Sequence, residues 1–343
     1  MVPQVIFYHM VCMVDKKMKR NFIHNLFIPI FAIIFLSIVQ KDAVAQSYPT
    51  EPVTIILPFG AGSVTDLVTR LLAEHLRNQF NQQFIVVNKP GAGGTIGSSF
   101  VAKSLPNGYT LLFTTNTTHS VVKSLYKNVP YNPNTDFSPV ARVAGIQSML
   151  VINSNLPIKN ISEFVEFSKN NPNKIRYSFG NSSGQIAGET LNKRLGIEMI
   201  AVPYRSNPQA IVEIIGGNIE GGVIDLATGI PHIKSGKLRP LAILTNRRSS
   251  LLPDVPTINE NVAPGFDLMA WFGVFAPAGT SPQIINTLSI EIQKFLLRED
   301  VKVKLNLNGV ETFYAGPKEF SQFLINEEVR WTQMATAAGI APE

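Results

Sequence analysis

From Val53 onward, short apolar runs alternate with stretches in which apolar residues recur every three or four positions. "VTIIL" (53–57) has the composition and length of a buried strand, whereas Leu67, Val68, Leu71, Leu72 and Leu76 share one face of a helix over 66–77. "QFIVVN" reads as the next strand, "GTIGSSFVAKS" as a helix and "YTLLFTT" as a third strand. Strands and amphipathic helices in strict turn predict a parallel sheet with helices on its faces.

The rhythm breaks after Tyr126. Pro130, Pro133 and Pro139 interrupt any helix there, and two strands run close together before Asn153 with no helix between them, which marks a crossing into a second lobe. Alternation resumes with strand "KIRYSF", helix "IAGETLNKRLG", strand "MIAVPY", helix "PQAIVEIIGG", strand "GGVID", helix "TGIPHIKSG" and strand "LRPLAIL". A second loop-rich tract precedes "AWFGVFAPAG", read as a returning strand, and two long helices over 282–298 and 317–337 finish the chain. Two crossings describe a clamshell with a two-segment hinge: lobe 1 from 46–145 and 270–343, lobe 2 from 146–269. Ligands in open α/β sheets sit beyond the carboxyl ends of the strands, so glycine-rich loops at those ends in both lobes are expected to face one cleft.

The N-terminus sets the compartment. Lys16, Lys17, Lys19 and Arg20 precede an apolar stretch from Leu26 to Val39, and Ala43-Val44-Ala45 follows as a small-residue cleavage pattern. These three features predict a Sec-type signal peptide over residues 1–45 and a periplasmic product; an uncleaved anchor is the alternative, although the stretch falls short of the ~20 apolar residues a span needs. The one cysteine, Cys12, lies upstream of the cut, which excludes disulfides, thiolate catalysis, cysteine-ligated metals and a lipidated N-terminal cysteine from the expected product. Removal of 1–45 takes five Lys/Arg and two Asp/Glu from totals of 30 and 24, leaving +3 spread along the chain. Such a balance gives no nucleic-acid footprint but favours small anions. His75, His119 and His232 show no metal-ligand spacing, and no cofactor is expected.

Candidate chemistry lies in the loops at the strand ends. "PFGAGSVTD" combines Gly60 and Gly62 with Ser63 and Asp66 in a capping-box variant, so Asp66 is expected to support the helix start. Exposed N–H groups at such a start hold anions. A nucleotide reading fails on Pro58 before the glycines, on Thr65 in place of the third glycine, and on the lack of an acidic residue after "FIVVNKP". "NKPGAGGTIG" supplies a second glycine-rich loop on the same edge. "GNSSG" matches G-x-S-x-G between a strand and a helix, with Asp225 and His232 following in the order of a serine hydrolase built on Ser182. A loop of hydroxyl and amide donors to a ligand explains the same residues, and no oxyanion-hole segment accompanies them. "TTNTTHS" is read as an ordinary polar loop in which His119 is exposed while Asn116 and the threonines offer neutral donors.

The ordered series "PFGAGSVTD", "NKPGAGGTIG", "PNGYTLL", "VPYNPNTDFSPV", "VPYRS", "IIGGNIEGGVID", "HIKSGKLRPLA", "LPDVPTI" and "AWFGVFAPAGTSP" resembles the periplasmic solute receptors of tripartite tricarboxylate transporters, the Bug-type receptors, from about Tyr48 to the C-terminus. The resemblance implies a two-lobed type II periplasmic binding fold, each lobe a mainly parallel sheet flanked by helices. It implies a monomeric, non-enzymatic receptor that captures a di- or tricarboxylate, or an acidic or aromatic analogue, and delivers it to membrane permease subunits. A receptor feeding a membrane sensor kinase is the related alternative. Carried over by position, Phe59, Gly60, Ala61, Ser63 and Thr65 form the carboxylate grip, Asn116 and Thr117 the third-strand loop, and Ser182, Ser183 and Gly184 the second-lobe contribution, with Tyr204 and Asp225 as further contacts. Ser63 stands where the family usually has a second consecutive glycine, and "GNSSG" and "VIDLATG" also depart from commoner versions.

Overall fold

The computed structural model describes residues 48–342; the signal-peptide reading of 1–45 lies outside the described residues. The fold is carried by the compact unit that begins at Glu51. It opens with β1 (Val53–Leu57), α1 (Val64–Phe80), β2 (Phe84–Asn88), α2 (Thr95–Ala102), β3 (Thr110–Thr115) and two short helices, α3 (Asn116–His119) and α4 (Val122–Leu125). Next come β4 (Phe137–Asn153), α5 (Ile161–Asn170), β5 (Arg176–Phe179), α6 (Ser182–Leu195), β6 (Ile200–Pro203), α7 (Asn207–Ile215), β7 (Gly221–Asp225), α8 (Leu226–Lys234) and β8 (Leu238–Ile243). The chain returns through α9 (Ile258–Asn261), β9 (Met269–Pro277), α10 (Pro282–Leu297), α11 (Glu299–Leu307), β10 (Val310–Ala315) and α12 (Pro317–Ala337).

Local chemistry accounts for these boundaries. Val64, Val68, Leu72 and Leu76 recur at four-residue spacing and bury one face of α1, which begins at the N-cap Ser63 and stops where Asn81 turns left-handed (φ 51°). β1 is buried on both faces, as expected of a strand inside a parallel sheet covered by helices.

The strands form one ten-stranded sheet in the order β2-β1-β3-β9-β4-β7-β5-β6, with β8 and β10 also paired to β4. Its flanks are parallel: β1 pairs with β2 and β3, and β5 pairs with β6 and β7. The strands that join the flanks are antiparallel. The two closely spaced strands expected before Asn153 are a single strand. From Phe137 to Gln147, β4 pairs with β9, and from Ser148 it pairs with β7. Register shifts at Pro139/Ala141 and Arg142/Ala144 absorb the proline and bend the strand without ending it. The region between the last two long helices contains α11 and β10, whose Val310–Thr312 pair with Ile146–Ala144.

The cores follow the two flanks. One cluster packs Ile56, Leu112, Trp271, Phe275 and Phe320. Another packs Leu150, Phe164, Tyr177, Ile186 and Leu241, and Trp331 and Ala335 of α12 belong to it. The C-terminal helix thus starts on the first flank through Phe320 and ends on the second through Trp331, whose indole Nε1 donates to Glu327 Oε2 at 2.7 Å. Among the described residues no helix is long and apolar enough to cross a membrane.

Candidate functional site

The carboxyl ends of β1, β3, β5 and β7 lead directly into α1, α3, α6 and α8, so several helix N-termini open at one edge of the sheet. At the first of these, Gly62 adopts φ +76°, a left-handed step that L-residues with a Cβ disfavour. Ser63 then caps α1, its Oγ accepting from the Asp66 N–H at 3.3 Å and lying 2.8 Å from Thr65 Oγ1. Asp66 faces the loop. It accepts from Gly62 N at 3.1 Å, Arg70 Nε at 3.0 Å and Asn88 Nδ2 at 3.1 Å, while Asn88 Nδ2 also reaches Phe59 O. Burial raises the Asp66 pKa, but the hydrogen bonds from Arg70, Gly62 and Asn88 outweigh it and hold the carboxyl below its ordinary range. Asp66 is therefore ionised and occupied within its own loop. The Val64 and Thr65 N–H groups, in the first turn of a 17-residue helix, find no acceptor among the described residues. They form a donor pair at the positive end of a helix dipole.

Opposite this turn lies the start of α6. Asn181 caps it, Oδ1 accepting from Gly184 N at 2.9 Å. Gly180 N donates to Asn207 Oδ1 at 3.0 Å, and a Cβ on Gly180 would stand 2.2 Å from Asn207 N, so only glycine lets these two loops meet. Asn116 Nδ2, at the end of β3, donates to Ser183 Oγ at 2.9 Å. The Asn116 Oδ1 and Thr117 Oγ1 atoms are buried without a hydrogen-bond partner, polar capacity left over at the same edge.

These loops enclose two adjoining cavities. The smaller, about 30 Å³, is lined by Ser63, Thr65, Asn116, Ser183 and Asp225 among others, and by Phe272 of β9. The larger, about 310 Å³, is lined by Thr117, Ser182 and Tyr204 together with Gly91–Gly94 of the second glycine-rich loop. Phe59, Gly180, Asn181 and Arg205 border both. The structure therefore brings nine of the expected contact residues to this region: Phe59, Ser63, Thr65, Asn116, Thr117, Ser182, Ser183, Tyr204 and Asp225. Gly60, Ala61 and Gly184 line neither cavity. Gly60 packs against Ser206, Ala61 is exposed, and Gly184 is buried with Phe179 and the Val223 carbonyl where a Cβ would sit.

"TTNTTHS" is not the exposed polar loop its composition suggests. Thr114 to Ser120 are buried, and His119 stacks on Phe275 with ring centroids 3.9 Å apart. Burial pushes the His119 pKa down to about 3, so its ring is a neutral core group. The Thr114 and Thr118 hydroxyls pair at 2.7 Å, which makes burial of the polar run tolerable. "NSSG" likewise is the first turn of α6 rather than a loop. His232 lies within α8, and its ring makes no hydrogen bond to Ser182 or Asp225 among the described residues, so the hydrolase arrangement is not assembled. Asn181 and Asn207 were missed by motif reading. Their signals were an asparagine after a glycine at a strand end and the Asn-Pro helix start at 207–208. No group of three or more His, Cys, Asp or Glu suited to a metal occurs among the described residues.

Comparison with known proteins agrees with this geometry. The family model described as "Tripartite tricarboxylate transporter family receptor" matches residues 68–340. Protein BugT of Bordetella pertussis is 33% identical over 298 residues, 86% of this chain and 91% of that protein. Among solved structures, R. palustris Rpa4515 with adipate superposes with a TM-score of 0.84 at 32% identity, covering 86% of this chain and 100% of that one. MatC (Rpa3494) from Rhodopseudomonas palustris with bound malate gives a TM-score of 0.79 at 28% identity, covering 84% and 100%.

Proposed function

Because this chain belongs to the tripartite tricarboxylate transporter receptor family, we propose that its cavity captures a small organic carboxylate and that the loaded protein hands it to the permease subunits of such a transporter. The protein is a periplasmic solute receptor of type II binding-protein fold and not an enzyme. The observation that carries the carboxylate reading is the unpartnered N–H pair of Val64 and Thr65 at the start of α1, where Ser63 and Thr65 line a cavity otherwise bordered mainly by hydroxyls, carboxamides and apolar groups. Relatives solved with adipate and malate support it.

The ligand carboxylate sits on that turn, with Ser63 and Thr65 hydroxyls beside it and Asn116 and Ser183 closing from the far side. Neutral donors suit a transport receptor, since a fully desolvated ion pair is costly to separate at release. The two lobes are 46–145 with 270–343, and 146–269; the change of partner along β4 at Gln147/Ser148 supports a hinge there.

A thermal-shift screen of organic acids tests the reading. At a hundredfold excess over Kd a binder stabilises by about 2.7 kcal/mol, on the order of 5 °C for a domain of this size. No shift with any carboxylate overturns the proposal. Ser63→Gly is expected to unfold within a degree or two of the parent, because glycine replaces an N-cap serine at a cost of a few tenths of a kcal/mol. Its affinity for the acid that scores is expected to fall roughly three- to tenfold through loss of one hydroxyl donor; unchanged affinity takes Ser63 out of the grip.

A further inference from the structure

Asp225 is the one acidic side chain lining the smaller cavity, and Arg205, exposed at its edge, is the one basic side chain. An acid is an odd neighbour for a site that receives anions. Its surroundings are specific. Asn181 Nδ2 donates to Asp225 Oδ1 at 3.3 Å, and the neighbouring Asn207 carboxamide also favours the charged carboxyl. Both carboxamides are oriented by backbone amides, Asn181 Oδ1 accepting from Gly184 N and Asn207 Oδ1 from Gly180 N, so neither is free to turn its oxygen toward Asp225. Ser148 stands opposite Asp225 in register on β4. Among the described residues no cation contacts the carboxyl: burial pushes its pKa up to about 6, and only the two carboxamides oppose that rise.

Two consequences follow from these bonds. The Asp225 carboxylate keeps acceptor capacity toward the cavity, since an ionised carboxylate accepts at about four positions. The nearby amide N–H donors that would welcome a second ligand carboxylate are already aimed at Asp225 itself. We propose that Asp225 makes the receptor selective for small carboxylates that carry a hydroxyl or ammonium donor along the carbon chain, the donor resting on Asp225 while the ligand carboxylate sits at the start of α1. This selectivity rests on the carboxylate-receptor reading and sharpens it: plain diacids are the poorer ligands.

Calorimetric titration at pH 8 with succinate, malate and aspartate tests the inference, because the three share a four-carbon diacid chain and differ in the presence of the donor. Malate or aspartate is expected to bind at least about tenfold more tightly than succinate. In Asp225→Asn, checked for folding by its unfolding temperature without ligand, the preference is expected to shrink to about twofold or less. Succinate binding as tightly as both others to the parent overturns the inference, and so does a preference that survives Asp225→Asn. If the variant does not fold, the parent's ratio decides. Absence of binding by every acid, plain or substituted, overturns the receptor reading and this selectivity with it, whereas binding of plain diacids alone overturns only the selectivity.

Discussion

Thr65→Pro is expected to lower carboxylate affinity by roughly 10- to 100-fold while leaving the fold nearly as stable as the parent. Thr65 is the second residue of α1, and its N–H has no acceptor among the described residues. Proline at that place removes the donor and little else. The chain already tolerates the arrangement: Pro208 is the second residue of α7, directly after Asn207, and α10 and α12 begin with Pro282 and Pro317. The side-chain loss is the contact of Thr65 Oγ1 with Ser63 Oγ, worth about 1 kcal/mol. A hydrogen bond to an ionised carboxylate contributes about 1.5–3 kcal/mol, which sets the expected factor. Thr65→Val separates the two effects, since it deletes the hydroxyl and keeps the N–H; its affinity is expected to lie between parent and proline variant. Calorimetric titration with the acid found in the thermal-shift screen measures all three. A proline variant that binds like the parent removes the start of α1 from the site.

Local signals carried the parts of this site that one segment builds alone. The loop before α1 was legible because Gly62, Ser63 and Asp66 interact within five residues. The family series made the fold and the edge of the sheet legible as well. What stayed hidden depends on distant partners. Asp225 and Asn181 meet across 44 positions, and Gly180 and Asn207 across 27, so no spacing rule announces them. β4 was read as two strands because a proline normally interrupts a ladder, whereas register shifts beside Pro139 keep this one continuous. His119 was read as exposed because a run of threonines and asparagine looks solvated. Pairing among those hydroxyls, with Phe275 stacked on the ring, makes burial the better outcome. β10 was overlooked although Val310-Glu311-Thr312 alternates, since three consecutive paired residues after a glycine, with a fourth only at Ala315, give too short a pattern to stand out.

Asp225→Asn is expected to stabilise the unliganded protein, an unusual result for a residue placed in a binding site. Burial pushes the Asp225 pKa up to about 6, from an ordinary carboxyl value of 3.8. A raised pKa on an acid means that folding disfavours the ionised form. Above pH 6 the native state therefore bears the whole cost, and it is relieved as pH falls from about 6 toward 4, the reverse of Asp66, whose lowered pKa gives stability that is lost in acid. At 1.36 kcal/mol per unit, a shift of this size corresponds to a cost of up to about 3 kcal/mol. Asparagine removes the charge at nearly constant shape, and its oxygen still accepts from Asn181 and Asn207. The expected gain at pH 8 is about 1–3 kcal/mol, several degrees in unfolding temperature. The gap between variant and parent narrows toward pH 5 as Asp225 takes up its proton. Thermal unfolding at the two pH values reads both trends, and a variant less stable than its parent at pH 8 contradicts the assignment of a costly charge at this half-buried position. A site that keeps such a charge against its own stability is one in which the charge serves something other than folding, and a donor on the ligand is the partner that would offset it.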